Sequence, residues 1–573
     1  MGHWAMGLAL GLGTSLGILG GTTLPSWGAD RLTAVFGPVE LSVPVEDLEI
    51  YANTGRITDE FRPYARAATP EQLAGLRDVL QQQVDLSPGV VSQLVYTPTG
   101  ATLLQRLGTV LQTGSGQNGF LSLRAAFVQG ANSPEGLTLV SWLKAFPVEE
   151  IRVDLQAGLA IAQEAGTLFF LERQQLVEAL QGVATGQAQA DATDFSQLRD
   201  LRSPGRWTWR QQELIWQDDR RDRPIPMDLY WPDRPDPAPL VIISHGVGGV
   251  RYDFAYLARH LASHGFVVAV PEHVGSNAQL VRDLFRGLDW PVPREAIDRP
   301  LDITYVIDQL EQTSQANATP ANSQANSQAN STTGLINFDQ VGIIGQSLGG
   351  YTALAVGGAP LNPTALGQEC NKPEPDNTSL NISLLLQCRI YDLFLPPDPT
   401  VFPPQLDPPL TQVNFQDPRI KAILAINPFT SRVFGPAGLG QIQVPVMIVA
   451  SGGDIIVPPG PEQLYPFTWV TSPDRYLVLM DQGTHFSTIA PAPGQEVLAL
   501  PPLLLGPDPT IAQDYTEALG LAFMGYHLTG APEFQPYLHS GYAQFLSNGA
   551  MPLSLVRSLD RAVLDQALVN GED

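Results

Sequence analysis

Six short, almost uninterrupted apolar runs in the second half of the chain constrain its fold more than any other feature. They are "LVIIS" at 240–244, "FVVAV" at 266–270, "QVGIIG" at 340–345, "IKAILAI" at 420–426, "VPVMIVA" at 444–450 and "RYLVLM" at 475–480. A strand that is apolar on both faces must be covered on both, and a parallel sheet flanked by helices meets that requirement. Helical patterns such as "YLARHLASHG" and "LDITYVIDQL" lie between the runs, as right-handed crossovers demand. Two earlier runs, "ELIWQ" and "IPMDLYW", are joined across the charged "DDRRDRP" and predict an antiparallel hairpin at one edge. The expected fold class is therefore α/β, with a mostly parallel eight-stranded sheet over residues 208–545 and a C-terminal helical tail over 546–573.

The first part of the chain has another texture. Residues 30–185 predict a mainly helical domain. In "TPEQLAGLRDVLQQQ", Thr69 is placed as N-cap, Pro70 at the first helical position and Gln72 as the closing member of a capping box, and Ser87-Pro88 repeats the entry. Apolar residues at helical spacing follow, with Leu73, Leu76, Val79 and Leu80 in one segment and Leu103, Leu104, Leu107 and Leu111 in another. Residues 186–207 predict a linker, whose small, polar texture begins in "GVATGQAQADATDFSQ" at 182–197. Two insertions are expected within the sheet domain: the repetitive 314–333, disordered by composition, and 360–417, placed to overhang a site.

Residues 5–24 carry no charge, and with the small residues after them predict an export signal over 1–29; an uncleaved membrane tether is the alternative. Export places Cys370 and Cys388 in an oxidising compartment, where a disulfide between them would stabilise the insertion by roughly 3 kcal/mol. A formal net charge of −25 argues against nucleic acid as a partner, because such a surface repels polyanions.

The strand "QVGIIG" runs into Gly345-Gln346-Ser347-Leu348-Gly349 and then a small, helix-compatible "LGGYTALAVGGA". Flanking glycines permit a tight strand-to-helix turn that lifts a serine hydroxyl above the C-terminal edge of a sheet, so Ser347 is the candidate nucleophile. Its proton needs a base. His485, in "DQGTHFSTI" after the last strand, is the candidate, while His260, His264, His527 and His539 fall where packing or surface roles are expected and His3 falls in the leader. Asp454, in "VMIVASGGDIIVPP", ends the preceding strand and is the candidate acid, with Asp481 the runner-up. Backbone N–H groups of Leu348 and of Val247, in "SHGVGG", are the expected oxyanion donors. His245 has no companions at metal-ligand spacing and is assigned a structural hydrogen bond; neither metal nor organic cofactor is required.

With these residues placed, the chain from about 208 to 530 resembles an α/β-hydrolase. The segment "VIISHGVGGVRYDFAYLARHLASHGFVVAVPEHVGSN" resembles the oxyanion region of platelet-activating-factor acetylhydrolases and dienelactone hydrolase-like enzymes, which implies a carboxylic-ester substrate. The segments "MIVASGGDIIVPP" and "GTHFSTI" resemble the acid and histidine loops of cutinase-like polyester hydrolases. The whole arrangement resembles a group of exported bacterial hydrolases with a helical first domain of unassigned role. Secreted platelet-activating-factor acetylhydrolases carry their acid where this chain has Asn427, which moves the acid to Asp454. The resemblance implies an exported serine esterase or lipase acting on a small-molecule or lipid ester, with transient contact at a lipid surface. The apolar stretches at 383–388 and 498–506 are expected to form an acyl-binding wall or to pack in the core. A binding protein with a vestigial hydrolase domain is the alternative of another class; an intact set of triad residues argues against it.

Overall fold

A computed structural model of the chain describes residues 28–84, 87–166, 172–190, 193–284, 292–318, 336–371, 381–395, 414–490 and 502–570. Its largest sheet has nine strands: β1 (Trp209–Asp218), β2 (Arg223–Pro232), β3 (Ala238–Ser244), β4 (Val267–Pro271), β5 (Ile336–Gln346), β6 (Ile420–Ile426), β7 (Val446–Ser451), β8 (Arg475–Met480) and β9 (Leu553–Val556). Their spatial order is β9-β8-β7-β6-β5-β3-β4-β2-β1. β3 to β8 pair in parallel, and β1, β2 and β9 are antiparallel additions at the two edges.

The apolar runs are buried on both faces, and successive residues enter opposite cores. Leu240 and Ile242 pack in one buried cluster, Val241 and Ile243 in the other; Leu477 and Leu479 separate from Tyr476 and Val478 in the same way. That is the two-residue period of a strand acting on an all-apolar sequence. The predicted edge hairpin is present, with Asp218 paired to Arg223 across the charged turn. Arg221 and Arg223 of that turn reach inward to Asp302.

Three expectations require correction. The sheet has a ninth strand because "LSLV" in the supposed helical tail pairs antiparallel with β8, with Leu553 and Leu555 buried. The helix before the linker runs Glu172–Gln189, past the expected end at 185, and Leu176, Val177, Leu180 and Ala184 enter the core of the large sheet. Its glycines, Gly182 and Gly186, have open space around them, so they weaken the helix without breaking it. The first domain also holds a four-stranded sheet made of Arg31–Phe36, Val39–Pro44, Leu111–Thr113 and Glu150–Asp154, beside the helices. Among those helices, Pro70–Gln81 carries the Thr69/Gln72 capping box, and Pro88–Tyr96 begins after Ser87.

The leader and its tether alternative fall almost wholly outside the described residues, as does most of 314–333; the helix Val292–Ala318 extends into the start of that insertion. No helix among the described residues is long and apolar enough to cross a membrane. Cys370 and Cys388 are disulfide-bonded, joining the helices Pro363–Cys370 and Ile382–Tyr391. Leu366 and Ile390 of these helices enter the sheet core, and Ser383 and Gln387 are buried, so the described part of the second insertion is anchored.

Leu180 is fully buried in the core of the large sheet although it precedes the expected linker. Leu180→Ala should lower unfolding stability of the whole large-sheet domain by about 2–5 kcal/mol, read as a shift in the urea midpoint followed by tryptophan fluorescence. An unchanged midpoint would show that the helix is peripheral.

Candidate active site

The C-terminal ends of the strands line up by register. Gly345 pairs with Ser244, Gln346 with Ile426, and Ser451 with Met480. The residues that follow these ends therefore emerge at one rim. Ser347 is the first residue past β5 and caps the helix Leu348–Val356 with φ 56° and ψ −118°, a sparsely populated conformation for a residue bearing a Cβ. Two glycines make the turn sterically feasible. A Cβ on Gly345 would lie 2.0 Å from the carbonyl oxygen of Gly349, and one on Gly349 would lie 2.0 Å from that of Ser244.

The hydroxyl of Ser347 stands 3.0 Å from Nε2 of His485, and Nδ1 of His485 stands 2.6 Å from Oδ2 of Asp454. A carboxylate only accepts, so Nδ1 carries the proton and Nε2 presents its lone pair to the serine. Oδ1 of Asp454 accepts from the backbone N–H groups of Ile456 and Val457 at 2.9 and 2.7 Å, which fixes the carboxylate plane. Gln346, beside the serine, donates from Nε2 to the backbone oxygen of His485 at 2.9 Å. The strand that carries the hydroxyl thus also holds the loop that carries the imidazole.

Asp481 belongs elsewhere: it receives Gln181 Nε2 at 3.4 Å and lies 3.6 Å from the Arg173 guanidinium, both on the Glu172–Gln189 helix. Asn427 is fully buried at φ 45° and donates to Ser451 Oγ at 3.1 Å, beneath the site. In the "SHGVGG" loop, the N–H groups of Gly248 and Gly249 are committed to the carbonyls of Ser276 and Gly246. Val247 N–H, by contrast, has no acceptor among the described residues, and Leu348 N–H is in the first turn of its helix, where intrahelical partners are lacking. A Cβ on Gly246 would come within 3.2 Å of Ser347 Cβ, so this loop lies directly against the serine.

The structural hydrogen bonding expected of His245 is present, but sequence reasoning missed the network beneath the loop to which it belongs. His245 Nε2 accepts the backbone N–H of His273 at 3.0 Å, which puts the His245 proton on Nδ1, 2.7 Å from Gly246 O. Burial, reinforced by Arg299, pushes His245 well below its usual range, so it stays neutral. His273 in turn lies 2.9 Å from both Ser244 Oγ and Asp302 Oδ2. This is a second Ser-His-Asp relay, yet all three residues have no exposed surface. Ser347 and His485 retain 7% and 5% exposure, enough to separate a reachable relay from a structural one.

A cavity of about 360 Å³ adjoins the acid and base, lined by Asp454, Ile455, Ile456, His485, Phe486 and Leu504 among others, with Arg173 at its border. Ser347 is not among its lining residues, so it flanks the base end of the site. Of the two apolar stretches, Leu504 contributes to this wall, while Ser383 and Leu385 are buried. Among the described residues no cluster of His, Cys, Asp or Glu could hold a metal ion.

The sheet order and this rim have the form of the α/β-hydrolase fold. The family described as "Alpha/beta hydrolase of unknown function (DUF1400)" matches residues 28–154, and "Platelet-activating factor acetylhydrolase, isoform II" matches 229–284, the segment that carries Val247. The chain resembles the platelet-activating-factor acetylhydrolases within that fold. No curated protein matches it.

Asp253 caps the same loop, accepting Val250 N–H at 2.9 Å, and burial raises its carboxyl to about 6. Between pH 4 and 6 the native state therefore holds a proton that the unfolded chain has released, and stability falls as pH rises through that window. The slope from this residue should total on the order of 1–3 kcal/mol and vanish in Asp253→Asn. Urea midpoints of both proteins at pH 4.5 and 6.5 measure it, and equal pH slopes would refute it.

Proposed function

We propose that the protein is a serine carboxylic-ester hydrolase working through an acyl-enzyme at Ser347. The observation that carries this is the reachable relay from Ser347 through His485 to Asp454, set on a strained turn beside uncommitted backbone donors. Ser347 Oγ attacks the ester carbonyl carbon as His485 Nε2 takes its proton. The carbonyl oxygen becomes an oxyanion between Val247 N–H and Leu348 N–H. When the tetrahedral intermediate collapses, the bond to the leaving oxygen breaks and His485 returns the proton to the departing alcohol. Water then repeats the sequence on the acyl-enzyme, releasing the acid and restoring Ser347. Asp454 accepts from His485 Nδ1–H throughout and holds the imidazolium.

The match of 229–284 to a platelet-activating-factor acetylhydrolase supports a lipid ester as substrate, with short or oxidised acyl chains on a phospholipid favoured. The predominantly apolar cavity beside His485 is compatible with such a group. The disulfide and the charge-free leader support export to the periplasm or beyond.

Ser347→Ala should reduce kcat for p-nitrophenyl butyrate by at least about 10⁴-fold, and mass spectrometry should find a fluorophosphonate adduct on the Ser347 peptide of the native protein alone. Equal turnover by both proteins would sink the nucleophile assignment. Inactivity of the native protein towards every ester tested, with no adduct, would favour the binding-protein alternative.

A further inference from the structure

The peptide group between Gly246 and Val247 is gripped from its carbonyl side. Gly246 O accepts Arg299 Nη2 at 3.1 Å as well as His245 Nδ1 at 2.7 Å. Arg299 Nη1 donates to the preceding carbonyl, His245 O, at 2.5 Å, and Nε donates to Ser276 Oγ at 2.8 Å. The backbone oxygen of Ser276 accepts Gly248 N–H at 2.8 Å, so one guanidinium holds the loop on both sides of Val247.

In a trans peptide the C=O and N–H bonds point in opposite directions. Fixing Gly246 O therefore fixes the direction of Val247 N–H, and a cation on the oxygen draws electron density through the amide and strengthens the N–H as a donor. We propose that Arg299 is a positioning residue for the oxyanion site, acting through the Gly246–Val247 peptide; this rests on the serine-esterase reading above.

The wiring favours this role over simple charge pairing. Arg299 has no exposed surface, and its nearest carboxylate, Glu295, is 3.7 Å from Nε, while both terminal nitrogens go to loop carbonyls. Burial lowers its guanidinium to about 10, still well above neutrality, so the charge is retained. Its platform is also tied to the nucleophile. Pro300 lies within the helix Val292–Ala318 and has no N–H for the carbonyl of Ala296, and Tyr351 OH, from the helix after Ser347, donates to that carbonyl at 2.8 Å.

The test compares native protein with Arg299→Lys and Ser276→Ala, the second removing the Nε partner while leaving the charge. Active sites are titrated with a fluorophosphonate so that kcat is counted per competent serine. Expected is a fall in kcat per site of roughly 10–100-fold for Arg299→Lys and several-fold for Ser276→Ala, with KM little changed and the kinetic pKa of the base unmoved. Affinity for a trifluoromethyl ketone, which forms a tetrahedral adduct, should fall by the same factor as kcat/KM. Native kcat per titrated site in both variants would overturn the proposal, whatever their stability. If Arg299→Lys does not fold, Ser276→Ala decides alone. Ser347→Ala is run alongside: activity there would sink the esterase reading itself, whereas an inactive Ser347→Ala with full-rate Arg299→Lys would remove only the role of Arg299.

Discussion

The close approach of the Gly349 backbone to the Ser244 carbonyl underlies everything at the rim. It is possible only because β3 and β5 are parallel neighbours, with Gly345 in register with Ser244, and because no Cβ stands between them. That contact turns the chain sharply at residue 347 and brings the loop after β3 against the serine. A side chain at Gly349 would have to displace backbone, which a sheet buried on both faces resists. The candidate nucleophile and proposed oxyanion donors are consequently set by sheet register, while the candidate acid and base arrive from the loops after β7 and β8, two and three strands away.

The two Ser-His-Asp relays show why geometry alone does not define a catalytic site. Ser244, His273 and Asp302 have distances as good as those of Ser347, His485 and Asp454. What differs is access and backbone. Ser244 ends a regular strand with no exposed surface, whereas Ser347 occupies a strained turn at the head of a helix. Buried polar groups that satisfy one another are costly to break, so the inner relay serves well as a foundation for the loop above it.

The large sheet was legible because buried parallel strands write continuous apolar runs, and the candidate site because a strand, a small-residue turn and a helix leave their own pattern around Ser347. The rest failed for identifiable reasons. "LSLV" of β9 is only four residues, too short to show a period, and its pairing with β8 is decided by tertiary contact. The first-domain hairpin was readable in "RLTAVFGPVELSVP", where Gly37 takes φ 56° at the turn, but the helical stretches after it drew the assignment. The Glu172–Gln189 helix hid behind glycines and small residues, whose apolar stripe is thin. Arg299 was out of reach because its partners are backbone carbonyls more than fifty positions earlier, and carbonyls carry no residue-type signal.

The first domain's last helix changes how the two parts of the molecule relate. It packs Leu176 and Leu180 into the catalytic core, and its Arg173 both reaches the Asp481 backbone oxygen at 3.2 Å and borders the cavity beside His485. Asp481 lies at the start of the loop that ends in the base, so the helix buttresses that loop from outside while Gln346 holds it from within. A segment that supplies core side chains to the sheet and a cation to the cavity border is part of the hydrolase. The large-sheet unit therefore begins before the expected linker, at Glu172 or earlier, and the preceding residues meet it a second time where the helix Pro88–Tyr96 touches Ala278–Leu284.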